Sequence, residues 1–328
     1  MNDVMFAIVL ALAWFATVNA VASVAAAALS WLFDRLFTVV RPAGAALALF
    51  VLRMLPGALS AFFTIALFLP AHWRLEPSQA DESAGYSLLA LAAAGAAILA
   101  ATAWRALAAA RATSWIGRTW IRRSRVCARQ AGGVPVYHLA DSAPVVSLVG
   151  VLRPRLFVAT QVFDSLTPDE LEMSIAHEVA HLRSRDNLKR VLVACAPDLL
   201  TIAGLGGRVE KRWRASLEFA ADAGAVRGDE RRALNLVSAL VKVARLIPAP
   251  TAGRHPMLAG SSFYEGALLS ARIDRLLEID RWRRQRFSLV PVWPISVAGL
   301  ALLAALLPTH AVWLTVHAVT EGLVRILP

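Results

Sequence analysis

Long apolar runs cover roughly Val4 to Leu29, Ala43 to Leu69, Gly85 to Leu107 and Phe287 to Leu307. Each is about the twenty residues an α-helix needs to cross a hydrocarbon layer of ~30 Å, so the pattern predicts four transmembrane helices. Arg53 interrupts the second run, and a guanidinium there must snorkel to the interface or face a partner helix. The first run begins Met1-Asn2-Asp3, without basic charge, and continues past the small residues around Ala20 and Ala22. It reads as a retained anchor rather than a cleaved signal peptide.

Between the third and fourth runs the period shortens. Val134 to Leu139, Val145 to Leu148 and Leu156 to Ala159 are strand-like pieces separated by Asp141-Ser142-Ala143-Pro144 and by Gly150 to Pro154. They predict a small sheet of two or three strands whose exposed edge either pairs with an extended peptide backbone or serves only in packing the helix that follows. The period then changes to four at Leu171, Ile175 and Val179, which predicts a helix from about Pro168 through His181 toward Asp186. Thr167 is its N-cap, Pro168 its first helical residue, and Glu170 completes a capping box. The apolar segment Val191 to Leu205 contains Pro197 and Asp198. As a fifth crossing it would carry the residues after it to the other side of the membrane, so it reads as a buried or interfacial helix with Asp198 tied up locally. His310 to Pro328 reads as an amphipathic helix on the outer surface, with His310 and His317 interfacial rather than ligands.

Composition agrees with a membrane protein: 58% hydrophobic residues against 17% charged. The net charge of +11 fixes an orientation. Arg105, Arg111, Arg118, Arg122, Arg123, Arg125 and Arg129 follow the third run, and Arg281, Arg283, Arg284 and Arg286 precede the fourth. The positive-inside tendency puts the region between them in the cytoplasm and both termini outside, in a multi-pass protein of the cytoplasmic (inner) membrane. Arginines at membrane ends meet anionic headgroups, and no helix-turn-helix or zinc-finger spacing accompanies them. The bilayer is therefore the expected partner and nucleic acid is not. Cys127 and Cys195 are expected as reduced, unpaired thiols. The expected division is three transmembrane helices in 1–110, a cytoplasmic domain in 111–286, and the fourth helix with the short tail in 287–328.

The chemistry is concentrated in His177-Glu178-Val179-Ala180-His181. Residues four apart on a helix share a face, so both imidazoles can point at one zinc ion, and Glu178 beside them is placed to take a proton from a metal-activated water. A third protein ligand is required. Glu218 in Ser216-Leu217-Glu218-Phe219-Ala220-Ala221-Asp222 is the best candidate, and Asp222, one turn on, can accept a hydrogen bond from a ligand histidine. Ala220 and Ala221 allow close approach of the two helices. Arg185 and Asp186 are expected to pair with each other or to cap the helix.

The string from Glu170 to Leu188, the upstream segment Gly150 to Val158 and the Glu218 to Asp222 element together resemble the membrane metallopeptidases of the BlaR/MecR antirepressor family, with HtpX and CAAX-prenyl-protease types more distant. The resemblance implies an α-helical membrane protein with an α+β gluzincin-like domain inserted between the third and fourth helices. It also implies one Zn2+ on His177, His181 and Glu218, Glu178 as base and Asp222 orienting His177. The substrate it implies is a protein, such as a cytoplasmic repressor or the chain's own linker; an HtpX-like quality-control role and a non-catalytic signalling scaffold are the alternatives. Family sensors continue into an extracellular penicillin-binding domain, a pattern from which this sequence departs. His255-Pro256, followed by Arg272-Ile273, resembles a downstream segment of the HtpX-like relatives, in which a basic side chain, here His255, would stabilise an oxyanion.

Overall fold

The computed structural model describes residues 3–36, 41–75, 85–140, 145–199, 207–246, 260–262, 268–278 and 309–326. The first three apolar runs form α1 (Asp3–Leu36), α2 (Pro42–Phe62) with a π-helical turn (Phe63–Phe68) leading into α3 (Leu69–Leu75), and α4 (Tyr86–Arg122). Among the described residues, three segments are long and apolar enough to cross a membrane: Asp3–Leu32, Pro42–Leu75 and Tyr86–Arg122. Val4, Ile8, Val21, Val24, Ile65 and Leu89 are exposed, as the outward side of a helix immersed in lipid can be. Inside, the backbones approach closely: a Cβ at Gly95 of α4 would lie 2.2 Å from the Leu12 carbonyl oxygen of α1. The expected fourth span, Phe287 to Leu307, lies outside the described residues, as does the arginine cluster before it.

Arg53 does not snorkel. It is buried and paired with Asp198, whose other oxygen accepts from Ser23 Oγ at 2.8 Å. Asn19 extends the network. Its Nδ2 donates to Ser60 Oγ at 3.2 Å and to the Pro197 carbonyl at 3.0 Å, and its Oδ1 accepts from the Leu199 amide at 3.0 Å. The expectation of a locally satisfied Asp198 is corrected here. The segment after α7 (Asp186–Cys195) enters the helix bundle, where only a distant cation can match a buried carboxylate.

The mixed α/β domain follows α4. Its five-stranded sheet has the order β1-β2-β4-β3-β5, with β1 (Ser124–Ala131), β2 (Val134–Leu139), β3 (Val146–Val149), β4 (Arg155–Ala159) and β5 (Gly260–Ser262). β2 and β4 run parallel and the other pairs antiparallel. The three expected strands are present. β1 was not foreseen, because its arginines read as the flank of a membrane span. Gly132 and Gly133, at φ +60° and +82°, close the β1–β2 hairpin in the left-handed region that glycine enters without steric cost. A Cβ at Gly132 would also meet Val179 of the motif helix at 2.9 Å. A second correction concerns the sheet edge. β3 carries β5 on its outer side, Leu148 opposite Ser261, so the edge expected to be open to substrate is covered by the chain itself.

One face of the sheet, with Val134, Val136, Leu156 and Val158, packs on Leu171 and Ile175 of α6 (Pro168–Arg183) and on Leu236, Leu240 and Val243 of α9 (Glu230–Leu246). On the other, Phe157 stacks with Tyr137 at 5.2 Å and meets Trp120 of α4 edge-on at 5.4 Å. α8 (Gly207–Val226) joins the two regions, burying Trp213 and Leu217 with Ala46 and Leu49 of α2 and Val193 of α7. The short helices α5 (Thr160–Ser165) and α10 (Leu269–Leu277) complete the domain. The tail forms α11 (His310–Ile326). It packs by Val316 against Phe6 and Leu10, and Trp313 lies under the Arg74 guanidinium at 4.1 Å.

α6 starts as its sequence dictates. Thr167 Oγ1 accepts from the Glu170 amide at 3.4 Å, and Glu170 Oε2 accepts from the Thr167 amide at 2.8 Å. Glu170 also accepts from Ser238 Oγ at 2.6 Å and Lys242 Nζ at 2.8 Å. Burial alone would raise its pKa, but these donors and the Lys242 charge bring it down to about 2. A depressed carboxylate pKa stabilises the fold above the ordinary value of 4.5, and that stability is lost as pH falls toward 2. Glu170→Gln should therefore lose about 1–2 kcal/mol at pH 7, after allowance for the half-exposed lysine. Thermal unfolding in detergent should show the gap to wild type closing between pH 4.5 and 2; equal stability at pH 7 would contradict this account.

Candidate metal centre

His177 and His181 stand one turn apart on the inner face of α6, both fully buried, with ring planes at 86° and Nε2 atoms 3.1 Å apart. α8 brings Glu218 to them: Oε2 is 3.3 Å from His177 Nε2 and Oε1 is 3.5 Å from His181 Nε2. One donor atom from each of the three residues fits within a mutual 4.8 Å, compact enough for a single cation. The close packing rests on small residues, since a Cβ at Gly224 would sit 3.2 Å from the Ala180 methyl.

Each imidazole is fixed from behind. His177 Nδ1 lies 2.9 Å from Asp222 Oδ1, and His181 Nδ1 lies 2.8 Å from Asp186 Oδ2. A carboxylate at Nδ1 selects the tautomer whose Nε2 carries the free lone pair, so both rings present Nε2 as donors toward the same point. Two imidazoles and a carboxylate, so oriented, form a donor set compatible with a mononuclear zinc site. Glu178 is also fully buried, and its Oε2 accepts from the Leu148 amide of β3 at 3.0 Å. Asn187 Nδ2 donates to the Leu148 and Gly150 carbonyls at 3.0 Å each. Helices α6 and α7 therefore grip the same strand.

Three surrounding residues were not assigned these places from the sequence. Asp186 does not pair with Arg185 or cap the helix. Arg185 takes the left-handed conformation at φ 53°, and that sharp turn delivers Asp186 to His181, with Lys189 Nζ on its second oxygen at 3.0 Å. Arg272 on α10 is 1% exposed and grips Asp222 through two hydrogen bonds, from Nε at 2.9 Å and Nη2 at 2.6 Å. Its Nη1 is 3.4 Å from Glu218 Oε2. Arg190 Nη2 donates to Glu218 Oε1 at 3.2 Å. The signal for Asp186 was its distance of five residues from His181; Arg190 and Arg272 carried none that spacing could resolve. His255 lies outside the described residues.

The electrostatics follow from burial against partners. Burial would raise Glu218, but the charge of His181 and hydrogen bonds from both histidines hold it well below the ordinary carboxylate range. Asp222, likewise opposed by burial, is lowered by the charge of Arg272, and Asp186 by its hydrogen bond to His181. Burial disfavours charge on His181, yet Glu218 and Asp186 overcome it and raise the pKa to about 9.

Residues 148–216 match the model of peptidase family M48. The chain contains an M48-family zinc peptidase domain. The match covers Glu178 and both histidines and stops two residues short of Glu218, so the third donor and its outer partners come from the geometry. Together, the family match and the His–His–Glu cluster equip the chain as a zinc-dependent peptidase, attached to a helical membrane-spanning region. No curated protein matches the chain in sequence.

A raised His181 pKa gives the metal a proton to compete with. The imidazolium persists below about 9 and is lost above it, so a cation binding at Nε2 below that pH displaces one proton. Apparent zinc affinity should rise by roughly tenfold per pH unit, about a hundredfold from pH 6 to 8. Titration against a chelator corrected for its own protonation measures it, and a flat profile over that range would contradict the raised His181 pKa.

Proposed function

We propose that this protein is a membrane-anchored zinc endopeptidase that hydrolyses peptide bonds of a cytoplasmic or membrane-associated protein, with Glu178 as general base. The observation that carries the reading is the convergence of His177, His181 and Glu218 within 4.8 Å beside an equally buried Glu178. A zinc ion held by these three residues would supply Lewis acidity, polarising the scissile carbonyl and acidifying a water. Glu178, steadied by the Leu148 amide, takes the proton of the attacking water and delivers it to the departing amine, a transfer worth about 10²–10⁴-fold in such sites. Asp222 and Asp186 keep the two imidazoles in register through the reaction.

Arg105, Arg111, Arg118 and Arg122 along the end of α4 support a cytoplasmic catalytic domain. The resemblance to BlaR/MecR peptidases supports a repressor as substrate. A second reading, quality control of membrane proteins, draws on a separate observation: α8, which bears Glu218, packs directly on membrane helix α2 through Trp213 and Leu217. That places the metal centre beside the membrane helices.

Glu178→Gln should abolish proteolysis while one zinc per chain is retained, because the carboxamide keeps the shape and loses the base. Purified variant protein that still cleaves at the wild-type rate would falsify the mechanism. Comparing proteins cleaved in cells carrying wild type or this variant then separates the readings, soluble repressor fragments supporting the first and membrane-protein fragments the second.

A further inference from the structure

Residues 186–198 form one short segment with contacts at both ends of the molecule. At its start Asp186 holds His181. One turn later Arg190 donates to Glu218 Oε1 at 3.2 Å. Val193 then packs with Ala46 and Leu49 of α2 and with Trp213 and Leu217 of α8. Past the helix end, Pro197 accepts from Asn19, and Asp198 pairs with Arg53 and accepts from Ser23. Space for this entry exists only because α2 has no side chain at Gly57, where a Cβ would meet Pro197 Cδ at 2.7 Å. Two of the three candidate metal ligands are therefore touched by a segment whose far end is fixed in the membrane helices.

Glu218 needs such a hold. A carboxylate between two imidazoles has several rotamers, and only one points its oxygen at the shared site. Arg272 lies near Oε2 at 3.4 Å, and Arg190, on the helix whose Val193 packs with α2, engages Oε1 at 3.2 Å. Arg190 is nearly buried, at 12% side-chain exposure, so its hydrogen bond is little screened by water.

We infer that Arg190 is a positioning residue for Glu218, and that the Arg53–Asp198 pair sets its placement, making the geometry of the metal centre depend on the packing of the membrane helices. The inference rests on the zinc peptidase reading above. Loss of an outer partner of this kind typically weakens metal binding by about 10–100-fold. α7 ends at Cys195, three residues before Asp198, so the anchor reaches Arg190 through Ala196 and through Pro197, itself held by Asn19 and seated at Gly57.

The test uses the full chain in detergent and measures zinc affinity by chelator competition, melting temperature after metal removal, and cleavage. Arg190→Met keeps the apolar stem and should weaken zinc binding at least tenfold, with the metal-free melting temperature unchanged and much of the affinity restored in Arg190→Lys. The paired replacement Arg53→Met with Asp198→Leu removes the anchor without leaving a lone buried charge. It should also weaken zinc binding, and adding Arg190→Met to it should cost less than Arg190→Met alone. Zinc affinity within twofold of wild type in Arg190→Met overturns the positioning role, and so does a loss matched by a fall in metal-free melting temperature. Full additivity overturns the link to the membrane helices. Failure of wild type to bind zinc would instead sink the peptidase reading itself.

Discussion

Everything in the catalytic domain depends on burying several carboxylates and two imidazoles in a small volume without leaving any of them unmatched. Glu178, Glu218, Asp222 and Asp186 are each at most 3% exposed. In a medium of low polarity each isolated anion would cost several kcal/mol, so a site of this kind exists only as a complete network. The cations are drawn from different elements: Arg272 from α10, Arg190 and Lys189 from α7, and the proton on His181. Removing one partner strands the others, which ties the fold of the domain to the chemistry of its centre.

That requirement explains what was legible in the amino-acid sequence. The motif helix starts where it was read and ends at Arg183, three residues short of Asp186, because Thr167, Pro168 and Glu170 satisfy its first turn locally and Leu171, Ile175 and Val179 repeat every four positions. Glu218 and Asp222 were visible as a pair one turn apart on a second helix. Local spacing carries such information. It carries none about Arg272, fifty residues from Asp222, nor about the match between Arg53 and Asp198. Those pairs are chosen by tertiary packing, so the sequence could assign the residues singly but not to each other.

The sheet shows a different limit. Strands β2, β3 and β4 announce themselves through β-branched residues between turn signals. β1 is rich in arginine and takes its pairing from the Gly132-Gly133 turn rather than from any apolar alternation, so beside a membrane span its charges were assigned to the interface. β5 is three residues long and exists through its partner β3, whose neighbours α6 and α7 are in turn held by Leu148. Short edge strands of this sort have no independent signal, and the open edge inferred without β5 followed from that.

One consequence belongs to α4. The helix leaves the membrane bundle without a break and ends two residues before β1, with Trp120 seated on Phe157 beneath the sheet. From Leu107 to Trp120 it rises about 20 Å and turns by about 100° per residue. It therefore works as both a standoff and a protractor, fixing how far the sheet stands from the bundle and which way its α6 face turns. Adding one residue to that stretch would not lengthen a linker; it would swing the sheet, with α6 packed on it, about the helix axis and set it against the contact of α8 with α2.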